Sequence, residues 1–261
     1  MLNHLYWGKS VREYVSFEET DYNPDTILAE YPQYGRGDFR DPAYQIEFEN
    51  GKRLSELKYK SHNIYSGKKS LEVLPSTYVE KDSEAETLEI ILEDDFSDLE
   101  VILIYSVYEE YDAITRNAKF VNKGTESINL NRALSLCVDF ETSDFDLLHL
   151  SGAWCREKHM FRRELQMGSQ AIESKRGISS HQHNPFVALL SKGASETIGD
   201  VYGFSLVYSG NFLANVEVDG FKRTRVVMGI NPFDFSWEIK ASESFQTPEG
   251  VMVYSDEGLG K

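Results

Sequence analysis

Apolar and polar positions alternate along much of this chain, and the period is mostly two. The clearest case is Leu99–Tyr108, which reads LEVILIYSVY. As an extended strand it places Leu99, Val101, Leu103, Tyr105 and Val107 on one face, and Ile102, Ile104 and Tyr108 on the other. Apolar residues on both faces predict a strand central to two packed layers. Tyr44–Phe48 and Thr87–Leu92 carry shorter versions. Ile128–Phe140, Val201–Tyr208, Leu213–Val218 and Thr224–Ile230 continue the series.

Turn chemistry separates these runs. Asn122-Lys123-Gly124, Ser209-Gly210-Asn211 and Asp219-Gly220 all contain residues that tolerate positive φ. Asp219-Gly220, lying between two apolar runs, is the best hairpin signal. Helical signals are few. Asn23 as cap and Pro24 at a first helical position predict one or two turns over Asp25–Glu30. Cys155–Gln166 is charged almost all round, a pattern that fits an exposed helix, a loop or a polar strand. No repeat and no low-complexity linker interrupts the chain. The prediction is an all-β fold, a large antiparallel β-sandwich with few short helices, continuous over residues 1–261. The strand–helix alternation of a (β/α)₈ barrel is absent from the pattern.

Composition adds two constraints. Fifteen Tyr, fifteen Phe and three Trp make the chain rich in aromatics, which suit strands and also suit the C–H-rich faces of sugars. The formal net charge of −16 disfavours nucleic acid and anionic membrane as partners, since both are bound through cations. Neutral small molecules remain compatible. Cys137 and Cys155 suggest no disulfide framework, Met1–Ser10 shows no basic segment followed by an apolar run, and no Asn-x-Ser/Thr acceptor occurs. A reducing, cytoplasmic setting is the expectation.

Chemistry-bearing residues are sparse. Trp154 follows Gly152-Ala153 and precedes the charged run Arg156-Glu157-Lys158. A tryptophan there is either a stacking platform for a sugar or a core residue whose indole N–H finds a partner. His181 and His183 would point to one side if extended, and Cys155 and His159 would meet on a helix. Neither pair has the further ligands of a zinc site, so loop polarity explains them better and no metal is expected. Asp94, Asp95, Glu141, Asp144 and Asp146 could include a pair of the kind glycosidases use, but spacing along strands cannot set their separation. No nucleophile elbow, P-loop or dinucleotide fingerprint occurs, and no cofactor is expected.

Several segments in order resemble the amino-terminal domain of bacterial α-galactosidases of glycoside hydrolase family 36. They include Tyr6-Trp7-Gly8-Lys9, Glu30-Tyr31-Pro32-Gln33-Tyr34-Gly35, Asp38-Phe39-Arg40 and Pro42-Ala43-Tyr44-Gln45. Further on come Pro75-Ser76-Thr77-Tyr78-Val79-Glu80, Glu84-Ala85-Glu86-Thr87-Leu88, Arg132-Ala133-Leu134-Ser135 and His149-Leu150-Ser151-Gly152-Ala153-Trp154. Ser179-Ser180-His181-Gln182-His183-Asn184-Pro185-Phe186, Tyr202–Phe212, Gly229-Ile230-Asn231-Pro232-Phe233 and Phe245-Gln246-Thr247-Pro248-Glu249 complete the series.

The resemblance implies a twisted β-supersandwich that precedes a catalytic barrel in the family. The barrel carries an aspartate nucleophile within a Lys-Trp-Asp motif and an aspartate acid/base. Trp7, Trp154 and Trp237 are followed by Gly8, Cys155 and Glu238, so no Trp-Asp pair is present and no catalytic residue is expected here. The tryptophan of the family's Gly-Ala-Trp turn helps wall the galactose site, and Trp154 matches it. The partners implied are α-galactoside sugars of the melibiose and raffinose type, the barrel in cis or in trans, and further copies in a homo-oligomer. The early acidic loop that reaches a neighbouring subunit's site in the family looks shortened here, over Val15–Asp25, and the strands that usually precede Tyr6 look absent. His181 and His183 fall in a recurring segment that implies a packed or interface loop. The alternative reading is a stand-alone carbohydrate-binding module.

Overall fold

The computed structural model describes residues 2–11, 28–35 and 37–261. Among them sixteen strands occur. In chain order these are β1 (Tyr44–Phe48), β2 (Leu57–Ser66), β3 (Glu86–Asp94), β4 (Leu99–Tyr108), β5 (Ala113–Asn122) and β6 (Ile128–Phe140). Next are β7 (Phe145–Ala153), β8 (Arg156–Glu164), β9 (Gly168–Glu173), β10 (His183–Ser191) and β11 (Val201–Val207). The last are β12 (Phe212–Val218), β13 (Thr224–Ile230), β14 (Trp237–Ile239), β15 (Ser244–Gln246) and β16 (Glu249–Ser255). Single 3-10 turns at Asp82–Glu84 and Glu109–Tyr111 are the helical elements of the described residues. The expected turns over Asp25–Glu30 lie mainly outside them, and Leu28–Glu30 is not helical, with Ala29 bridged to Asn3.

The strands form two antiparallel sheets. The smaller runs β1-β6-β13-β12-β9, with β14 beside the first half of β6. The larger runs β2-β3-β4-β5-β16-β11-β10-β7-β8, with β15 against β5. The predicted β1, β4, β6 and β13 coincide with the observed strands. The Asp219-Gly220 hairpin joins β12 to β13, where Asp219 N–H donates to Arg223 O at 3.0 Å. The left-handed residue of that turn is Lys222 (φ 61°), not Gly220.

Two apolar clusters fill the space between the sheets. One gathers Tyr44, Val101, Leu103, Phe120, Leu130 and Leu134. The other gathers Leu136, Val138, Leu147, Leu189, Phe204, Phe212 and Met228. Arg116 stands at the seam. Its neighbours along the inward face of β5 are Ile114, packed on the second cluster, and Ala118, buried in the first. Its guanidinium is almost wholly buried, bonded to the carbonyls of Cys137 and Glu30 at 2.7 Å each and to the Glu30 carboxylate at 2.8 Å. A buried cation needs such partners, because desolvation is otherwise uncompensated.

On the face of β4 opposite Leu99, Val101 and Leu103, Ile102 and Ile104 line a concavity together with residues 68–72. That segment is fixed by Lys68, whose ammonium meets the buried Glu249 carboxylate at 2.6 Å and the Thr77 carbonyl at 2.6 Å. A charged lock of the same kind seals the outer face of the smaller sheet. Arg40 donates to both Asp38 and Asp139, Arg225 bonds both of those carboxylates, and Asp41 joins Arg132, Asn215 and the Glu217 carboxylate. The segments that carry the family resemblance thus supply much of the buried polar framework.

Candidate functional site at the β7–β8 hairpin

β7 and β8 are joined by a two-residue turn, Trp154-Cys155, with Ala153 paired to Arg156. Cys155 holds φ at 62°, in the left-handed region. Just before the turn the register slips between Ser151 and Ala153, leaving Gly152 at a bulge. A Cβ on Gly152 would sit 2.0 Å from the Arg156 carbonyl oxygen, so the backbone here closes to a distance that glycine permits and alanine does not.

The result projects Trp154 away from the sandwich. Its side chain is 78% exposed, against half-buried Trp7, which packs on Phe140, Tyr202 and Phe204. A large apolar side chain displayed this way loses the benefit of burial unless something covers it. Trp154 is therefore not a core residue. Beyond it, every residue of β8 is exposed, Met160 and Phe161 included. Cys155–Gln166 is therefore chiefly a polar edge strand, and the helix that would have brought Cys155 to His159 is absent.

The base of the hairpin is polar and tight. The inward face of β7 runs Phe145, Leu147, His149, Ser151, so the core line ends in two polar residues. Ser151 Oγ lies 2.8 Å from His149 Nδ1 and 2.8 Å from His183 Nδ1. The His149 ring stacks on Phe161 at 5.4 Å and 14°. Burial pulls both imidazoles below their usual range, helped at His149 by Arg163 and His183. At His183 the Glu173 carboxylate opposes that shift and Arg176 adds to it. His183 thus engages Ser151, while His181 is exposed. Sequence reasoning pairs the two histidines with each other and misses His149 and Ser151, although both sit at even spacing on the apolar face of β7.

The carboxylates do not converge. Asp146 is tied to Arg162 and Lys192, Asp95 to Lys58, and Asp94 accepts bonds within its own turn. Glu141 and Asp144 are exposed. Among the described residues no group of three His, Cys, Asp or Glu side chains is placed to hold a metal, and no helix is long and apolar enough to cross a membrane. The Val15–Asp25 segment lies outside the described residues.

The glycosyl hydrolase family 36 N-terminal domain matches residues 1–240. α-Galactosidase AgaA of Geobacillus stearothermophilus is 56% identical over 99% of this chain, which covers 38% of AgaA. α-Galactosidase Mel36A of Lactobacillus acidophilus is 37% identical over the whole chain, again covering 38% of the relative. Crystal structures of AgaA variants in complex with stachyose and with raffinose superpose with a TM-score of 0.94 each, at 55% identity, over 98% of this chain and 38% of theirs. The chain therefore spans well under half the length of these relatives. With identity this high over nearly every described strand, the chain belongs to glycosyl hydrolase family 36, as its N-terminal domain.

Proposed function

We propose that residues 1–261 form one non-catalytic domain of an α-galactosidase that removes terminal α-galactosyl units from melibiose- and raffinose-type sugars. In this reading Trp154 walls the galactose site, and hydrolysis belongs to a catalytic barrel that joins it in cis or in trans. The observation that carries the reading is the Trp154 side chain, 78% exposed on a hairpin whose bulge tolerates only glycine at position 152. An aromatic side chain has few rotatable bonds, so stacking a ring of sugar C–H groups on it costs little entropy. Homo-oligomer assembly and a cytoplasmic location complete the proposal, the first resting on the family resemblance and the second on cysteine usage.

The test is hydrolysis of a chromogenic α-galactoside by the chain alone and mixed with a separately expressed barrel. The expected result is no turnover alone, turnover on mixing, and a loss on mixing with Trp154→Ala. Turnover by the chain alone would overturn the reading.

A second reading, a stand-alone carbohydrate-binding module, is favoured by a separate groove of about 590 Å³ lined by Tyr208, Phe235, Trp237, Lys119, Asp234 and Gln246. Its size and mix of aromatic and polar groups suit an oligosaccharide. Calorimetry with raffinose decides it: heat abolished by Trp237→Ala supports this reading, and no heat at millimolar sugar removes it.

A further inference from the structure

The β7–β10 pairing that anchors the Trp154 hairpin is interrupted. His149 pairs with Val187 and Ser151 with His183, so two residues of β7 span four of β10. Past this break the hairpin is tied to β10 by the Ser151–His183 pairing and by Gly152 N–H, which donates to the Gln182 carbonyl at 3.0 Å. Ser151 is three residues from Trp154, and its hydroxyl lies between two imidazoles.

That hydroxyl carries one proton. With both rings neutral, Ser151 Oγ–H donates to one bare Nδ1 and accepts from the protonated Nδ1 of the other ring. The two histidines must then hold opposite tautomers, and the three groups lock as an ordered relay. If both rings are protonated, each bears a proton at Nδ1, the hydroxyl can no longer donate to either, and two cations face one oxygen.

We propose that His149, Ser151 and His183 are positioning residues for Trp154, forming a relay that fixes the angle at which its hairpin leaves the sandwich. The inference rests on the sugar-wall reading for its purpose, though not for its geometry. The relay bridges β7 and β10 across the break in their pairing, where the backbone ladder alone holds least. Protonation of both rings loosens it. The charged neighbours are Arg163 on β8, Arg176 after β9, and Glu173 on β9, which is itself engaged by Lys175 and Asn231. His159 lies opposite Ser151 on β8. Burial, with two nearby arginines against one engaged carboxylate, makes positive charge in the relay unfavourable, so the ordered state persists down through the ordinary histidine range.

The test reads Trp154 directly and needs no sugar. In the ¹⁵N-labelled chain, Trp7, Trp154 and Trp237 give separate indole N–H resonances, and Trp154→Phe identifies one of them. The Trp154 resonance should stay fixed near neutral pH and move only as pH falls below about 6.5, following the lowered imidazole titration. Ser151→Ala should abolish that movement, and Ser151→Thr, which keeps the hydroxyl, should restore it. A Trp154 resonance that stays fixed while His149 and His183 titrate overturns the proposal, and this wild-type measurement holds even if Ser151→Ala fails to fold. In the mixture with a barrel, Ser151→Ala should raise KM by roughly tenfold with kcat little changed, the mark of a displaced binding wall. A loss confined to kcat would also overturn it. Absence of sugar binding with an indole that follows the relay would count against the function reading alone.

Discussion

Asp139 and Arg225 face each other across β6 and β13, both side chains fully buried, joined by bonds of 2.8 Å from Nε and from Nη2 to the two carboxylate oxygens. Arg225 also bonds Asp38 at 2.7 Å, and Arg40 reaches Asp139 at 3.3 Å. The pair thus sits at the centre of a charged lock on the outer face of the smaller sheet, where each carboxylate serves more than one guanidinium.

Removing one partner leaves the other charged and dry. Asp139→Ala should cost about 3–5 kcal/mol of stability, read as a lower denaturant midpoint. Arg225→Met combined with Asp139→Leu should recover much of that loss, since a matched apolar pair leaves no orphan charge at their shared contact. A double variant as unstable as Asp139→Ala would show that the surrounding Asp38 and Arg40 depend on the pair.

The Trp154 turn depends on Gly152. Gly152→Ala should displace the hairpin, because its Cβ would meet the Arg156 carbonyl at 2.0 Å. The expected signature is a changed Trp154 indole resonance with the rest of the spectrum little altered. An unchanged indole would mean the bulge relaxes without moving the tip.

Stability should fall with pH in two windows. His149 and His183 have lowered folded pKa values, burial being the first cause at each. The unfolded chain binds protons there first, so their contribution is complete above about pH 6.5 and declines below it. At Glu30, Asp38 and Asp219 burial acts to raise the carboxyl. Arg116 and His4 overcome it at Glu30, Arg40 and Arg225 at Asp38, and bonds from Arg223 at Asp219, leaving all three lowered. Their contribution is complete above about pH 4 and is lost as pH falls further. Denaturant midpoints measured across pH check both, and His149→Gln with His183→Gln should flatten the upper window.

The two thiols should separate cleanly in reactivity. Cys155 is exposed at the hairpin tip, while Cys137 is buried and its thiol is pushed up to about 12, chiefly by burial. A thiol reagent should label one cysteine in the folded chain and two after denaturation. Because Cys155 adjoins Trp154, the label should also change the indole signal.

Most of the sandwich is legible in sequence because β1, β4, β6 and β13 bury one or both faces and so show their period. β8 is not, since Arg156–Glu164 is an edge strand exposed throughout and carries no apolar face to reveal a period. β14 and β15 are three residues each, too short to set a pattern. At the site, Trp154 is legible through its small neighbours and charged successors. His149 and Ser151 are not, because a histidine and a serine ending an apolar face look like its polar margin until β10 brings His183 to them.

The exposed β8 strand also bears on how the chain behaves in a crowd. An edge of a ten-stranded sheet offers a ready row of backbone groups to any extended segment that drifts past. Here that row is guarded by Arg156, Glu157, Lys158, Arg162, Arg163 and Glu164, and Lys158 bends the backbone at φ 59°. Mixed charge and a local kink make a poor template for fibrous stacking. The same strand can therefore hold out the tryptophan finger on an open border without seeding the growth of a second sheet.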